Sequence, residues 1–130
     1  MRVLLIALGG ALGTAVRYAA TGAAARWLGP AFPYGTLAVN VTGSFLIGLV
    51  QELGLTTLLI PPTLRLFLTV GVMGGLTTYS SFSYETIRLA EQGAWLRAVL
   101  NVVLTTLACV ACCVLGIATG RALAGVRGGS

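Results

Sequence analysis

Three short interruptions divide an otherwise apolar chain into four lengths, and that division constrains the fold more than any other feature. The segments "LGPAFPYG" from Leu28, "LGLTTLLIPPT" around Pro61 and Pro62, and "EQGAW" from Glu91 carry the Pro and Gly that end helices. A membrane-spanning helix needs about 20 predominantly apolar residues. Four such spans with short connections use up 130 residues and leave no soluble domain. The expected helices cover about 2–27, 34–53, 62–89 and 94–122, in a single integral membrane domain over residues 1–130.

Composition agrees with an all-α membrane protein. Hydrophobic residues make up 57% of the chain and charged residues 8%, with a mean hydropathy of +0.96, far from an ordinary globular domain. The N-terminus superficially resembles a cleaved signal peptide, with Arg2, an apolar run and the small residues Ala23, Ala24 and Ala25. Gly9, Gly10, Gly13 and Arg17 interrupt that run, and it continues past the length of a signal-peptide core, so the first helix is expected to be retained.

The formal charge of +5 comes from eight Arg against three Glu, with no Lys, Asp or His. The arginines are scattered singly, which fits a lipid bilayer as partner and excludes a nucleic-acid patch. Cys109, Cys112 and Cys113 include a C-x-x-C spacing, but inside an apolar helix, without His or a fourth Cys, they read as small buried hydrophobes. No nucleophile stands beside a base, so no enzyme is expected.

With four spans both termini share one side, with Arg2, Arg65, Arg121 and Arg127; Arg26, Arg88 and Arg97 lie on the other. Orientation normally follows a clear cytoplasmic excess of Lys and Arg. Here the near-balance fits a chain that inserts both ways up, and an antiparallel homodimer follows as an expectation. Gly9 and Gly13, Gly71 and Gly75, and Gly116 and Gly120 are each spaced four apart and offer small faces for close approach.

The stretch "GVMGGLTTYSSFSYE", Gly71 to Glu85, belongs to neither a lipid-facing helix nor a soluble loop. Gly74 and Gly75 ahead of Thr77 and Thr78 suggest a helix broken mid-span. Backbone freed at bilayer depth survives only where protein buries it or a wet cavity solvates it, and freed carbonyls suit a cation such as Na⁺. Beyond the break Tyr79, Phe82 and Glu85 recur at i, i+3 and i+6 beside Ser80, Ser81 and Ser83. An ionisable group within a span is a functional candidate by default.

Thr36, Asn40 and Ser44 on the second helix, and Asn101, Thr105 and Cys109 on the fourth, form two further faces at i, i+4 and i+8. Arg17 adds a positive charge near them. Amide and guanidinium N–H groups, hydroxyls and the positive rims of aromatic rings all suit a small anion. The residues alone therefore indicate a donor-rich pathway for a small ion or polar solute.

Three segments carry a resemblance: "GGALGTAVRY" (Gly9 to Tyr18), "GTLAVNVTGSFLIG" (Gly35 to Gly48) and "GVMGGLTTYSSFSYE" resemble the signature segments of the Fluc, or CrcB, family of fluoride channels. The resemblance implies a fluoride-selective channel built as an antiparallel, dual-topology homodimer of four-helix subunits, with two pores and a central Na⁺. It implies that carbonyls of Gly74 and Thr77 hold the Na⁺. It makes Asn40 the pore asparagine and sets Tyr79 and Phe82 where the family has two pore phenylalanines. Ser83, Glu85, Asn101, Thr105 and Arg17 complete the expected pathway. Tyr79 stands where the family usually has Phe, and Asn101 where some members carry Tyr.

The expected function is passive fluoride efflux across the inner (plasma) membrane, lowering cytoplasmic fluoride. The alternative is a small dual-topology, proton-coupled multidrug exporter, which carries its essential Glu in the first helix. This chain has Arg17 there and no acid.

Overall fold

The computed structural model describes residues 1–128, with side chains to residue 125; the side chain of Arg127, counted above, lies outside the described residues. The chain is all-helical among these residues. Helix α1 covers Arg2–Leu28 and α2 covers Tyr34–Thr56. Helix α3, residues 62–76, runs as α-helix over Pro62–Leu66, as π-helix over Phe67–Met73 and as α-helix again over Gly74–Leu76. Helix α4 covers Tyr79–Glu91 and α5 covers Trp95–Gly128.

Local chemistry sets these ends. Gly29, with φ of 83°, terminates α1 while its N–H still reaches the Ala25 carbonyl, and Pro30 forbids continuation. Pro62 occupies the first turn of α3, where its missing N–H costs nothing. After α4, Gly93 takes φ of 82°, its N–H bonds the Ala90 carbonyl, and the Ala94 N–H bonds that of Leu89. This is a Schellman closure, which pins the tight reversal into α5.

Helices α1, α2 and residues Trp95–Gly125 of α5 are long and apolar enough to cross a membrane. Their outward faces match, with Leu4, Leu8, Leu12 and Val16 exposed along α1 and Val103, Leu107, Val110 and Val114 along α5. Helices α3 and α4 are each about 20 Å long at 1.5 Å per residue, short of a hydrocarbon core of about 30 Å.

Helix α2 packs along α5, α1 packs on α3, and α4 leans on α5. Glycines bring the backbones together in both main pairs. A Cβ at Gly48 would lie 2.5 Å from the Cys113 carbonyl oxygen; one at Gly9 would lie 2.8 Å from that of Phe67, and one at Gly13 2.8 Å from the Leu76 nitrogen. From α3, Gly71 meets Gly9 and Gly75 meets Gly10 and Thr14, and Gly116 and Gly120 meet α2. The small faces read from the sequence as association surfaces are thus occupied between helices of one protomer. In lipid, close packing of this kind supplies much of the attraction between helices.

The break in the third span falls one turn later than the glycines suggest. Gly74 keeps helical angles (φ −60°, ψ −38°), whereas Thr77 (φ −87°, ψ 155°) and Thr78 (φ −150°, ψ 117°) are extended. β-Branched residues lose little in extended backbone, and the Thr78 hydroxyl accepts a hydrogen bond from the Ser81 N–H at 3.1 Å, capping α4. The threonines carry the break and the glycines carry close approach. Val39, Met73 and Leu76 form the buried apolar cluster directly beneath it.

Candidate functional site

Hydrogen bonding at the break is rebuilt by side chains from two other helices. In a continuous helix the Thr78 N–H would reach the Gly74 carbonyl; here it goes to Asn40 Oδ1 at 2.8 Å, while Asn40 Nδ2 donates to the Thr78 carbonyl at 3.0 Å. The peptide N–H fixes which way the amide points. The Ser81 N–H, helical donor to the Thr77 carbonyl, is likewise diverted to the Thr78 hydroxyl. Gly74 and Thr77 therefore lose the helical partners of their carbonyls. From α1, Arg17 Nε donates to the Gly75 carbonyl at 3.0 Å, and Thr77 turns its own hydroxyl back to the Met73 carbonyl at 2.9 Å.

Beside the break lies a cavity of about 410 Å³, walled in part by Asn40, Gly74, Thr77, Tyr79, Phe82 and Thr105. Six of the expected site residues thus meet in one place. Phe82 is buried and Tyr79 is 80% exposed on the protomer surface. The two rings meet edge-on, with centroids 5.5 Å apart and planes at 63°. Ser44, Thr69, Thr78, Thr106, Cys109 and apolar Ile47, Met73 and Val110 also line the cavity, whose exposed wall is mostly apolar.

The remaining expected residues lie elsewhere. Glu85 faces α2, accepting a 2.6 Å hydrogen bond from the Thr36 hydroxyl. Positions i, i+3 and i+6 drift by about 60° per step on an α-helix, so Glu85 points about 120° away from Tyr79. It shares a second depression with Arg17, Thr36 and Ser80. Arg88 pairs with Glu91 at 3.8 Å and not with Glu85. Ser83 is exposed, its hydroxyl returned to the Tyr79 carbonyl at 3.0 Å.

Asn101, 1% exposed, lies behind the cavity wall. Its Nδ2 donates to the Thr86 hydroxyl at 2.8 Å, and its Oδ1 accepts from the Thr105 hydroxyl at 3.3 Å. Thr86 was not singled out from sequence. The available signal was its position four residues after Phe82, whose carbonyl its hydroxyl bonds at 2.7 Å. The clamping role of Thr78 was equally invisible, because it depends on α2 arriving at the same depth.

These features define a multi-pass α-helical membrane protein in which a helix interrupted by extended threonines borders a sparsely polar cavity. The pattern of the family described as "CrcB-like protein, Camphor Resistance (CrcB)" matches residues 4–117, and the chain belongs to that family. Among curated proteins it is 53% identical over 123 residues to "Fluoride-specific ion channel FluC" of Geobacter metallireducens, covering 95% of this chain and 99% of the relative. A protein of the same name from Pelobacter propionicus is 52% identical, over 97% of this chain and 96% of its own length. That from Sorangium cellulosum is 52% identical, over 91% and 93%.

Proposed function

We propose that the chain forms a fluoride-selective channel in the inner (plasma) membrane, through which fluoride leaves passively and its cytoplasmic concentration falls. One observation carries the reading. In a chain half identical to proteins named for fluoride conduction, Asn40 and the aromatic residues Phe82 and Tyr79 converge on one cavity. Asn40 gives one Nδ2 hydrogen to Thr78 and has a second for an anion. Ring rims supply weak positive potential without a fixed charge. Arg17, Glu85 and Thr36 form the polar approach on the other side of the break, and Ser83 is exposed on α4.

The working unit in this reading is an antiparallel homodimer. Trp and Tyr normally anchor both faces of a membrane protein. Here Trp27, Tyr34 and Trp95 are exposed at the end where α1 finishes and α5 begins, while residues 1–5, 50–66 and 115–128 at the opposite end contain neither. Two copies in opposite orientation give each membrane face one anchoring belt.

The Na⁺ belongs to the same reading. Gly74 and Thr77 offer carbonyls deprived of helical donors, and Gly74 has no side chain to obstruct a second copy. Those oxygens, from two copies, fit a hard cation. When bound, it supplies fixed positive charge and ties the two breaks together. No observation favours the drug-exporter alternative, since α1 holds no carboxylate.

Purified protein in liposomes, assayed with a fluoride electrode, tests the proposal. Fluoride efflux without comparable chloride efflux is expected. Equal flux of the two anions, or none of fluoride, overturns it.

A further inference from the structure

We propose that Thr86 and Asn101 fix the hydrogen-bonding polarity of Thr105, so that this hydroxyl offers lone pairs and not a proton to the cavity. The inference rests on the reading of that cavity as a fluoride path. It begins at the Phe82 carbonyl, which can only accept. The Thr86 hydroxyl, 2.7 Å away, must therefore spend its single proton there. Toward Asn101 it then has only lone pairs, so the 2.8 Å contact requires the Asn101 NH₂ group on that side. The amide is thereby oriented, and its Oδ1 faces Thr105. A carbonyl-type oxygen cannot donate, so Thr105 donates to it.

Each step leaves one choice at the next, and the last lies at the cavity wall. Asn101 is 1% exposed and Thr105 buried, so bulk water does not scramble the order. An oxygen that presents only lone pairs does not bind fluoride directly. It recognises a hydrogen-bond donor, and the donor that travels with fluoride is water: one O–H to Thr105, the other to the ion. Thr86 and Asn101 are positioning residues here. At Thr105 the ion stays partly hydrated and loosely held, as conduction requires.

Thr86→Val tests this by removing the hydroxyl at nearly constant volume. Asn101 is then free to turn its NH₂ toward Thr105, which releases the Thr105 proton to the cavity. Efflux from liposomes across a fluoride series should show a half-saturating concentration lowered about threefold or more, the scale of one added hydrogen bond, without a rise in maximal rate. Thr86→Ser should restore wild-type behaviour. In a Thr105→Val background, Thr86→Val should shift nothing further. An unchanged half-saturating concentration in folded Thr86→Val, or the same shift without Thr105, overturns the inference.

Should Thr86→Val fail to fold, Thr105→Val alone decides. A half-saturating concentration unchanged or lower supports an accepting hydroxyl, and a several-fold rise shows that Thr105 donates to the ion. Absence of fluoride flux in the wild-type protein would instead sink the channel reading itself.

Discussion

Asn40 supplies, with one amide, the acceptor that the Thr78 N–H loses by leaving the helix. Asn40→Asp keeps an oxygen for that N–H but sets its other oxygen against the Thr78 carbonyl with no proton between them when ionised. A lost bond of this kind costs about 1–3 kcal/mol, and the carboxylate repels an anion in the cavity. The expected protein is dimeric with a lowered unfolding temperature, and its fluoride efflux falls at least tenfold. Wild-type efflux from folded Asn40→Asp would remove Asn40 from the pathway. Phe82 is a second such test. Ile retains bulk but has no positive ring edge, so efflux should fall further in Phe82→Ile than in Phe82→Tyr, measured in the same liposomes.

At the scale of elements, α1 and α3 behave as one plate because their backbones touch. Gly13→Val would drive a branched side chain into the Leu76 backbone, and overpacking of this sort costs about 1–3 kcal/mol or more. Thermal unfolding should register it far more strongly than Gly22→Val, whose position is open. Loss of the α4 cap in Thr78→Ala should cost about 0.5–2 kcal/mol. Much of this architecture was legible, since Pro and Gly punctuated the apolar lengths and the i, i+4 polar faces marked α2 and α5. The break was legible to within a turn, between Gly74 and Tyr79, but not that Thr77 and Thr78 carry it, because Gly74 and Gly75 are locally better helix breakers. What decides it is non-local: Gly71 and Gly75 are held helical against α1, and Asn40 from α2 stabilises an extended Thr78. The π-helical turn over Phe67–Met73 had no distinguishing composition. The i, i+6 spacing did not by itself place Glu85 on the face of Tyr79, since the drift around α4 turns it toward Thr36.

For the whole molecule, Gly74 is where the proposed assembly can be tested apart from folding. Its Cβ position meets only the Thr69 carbonyl oxygen at 3.9 Å, so a side chain there starts in open space within the protomer. Gly74→Val should therefore insert and fold, yet run as a monomer in detergent and conduct nothing; a stable conducting dimer would remove Gly74 from the interface. Orientation has its own test. In a cysteine-free background, Gln92→Cys should be labelled to about half completion by an impermeant maleimide added outside vesicles, the outcome that equal insertion in both directions requires. In the proposed dimer the exposed belt of Trp27, Tyr34 and Trp95 is what each copy would contribute to its own side. The extended threonines have one more effect. At them the negative pole of α3 and the positive pole of α4 end within two residues of each other. A single discontinuity thus offers a pole of either sign inside the bilayer, built from peptide dipoles that bind and release no protons. Attraction made this way persists at any acidity the fold survives.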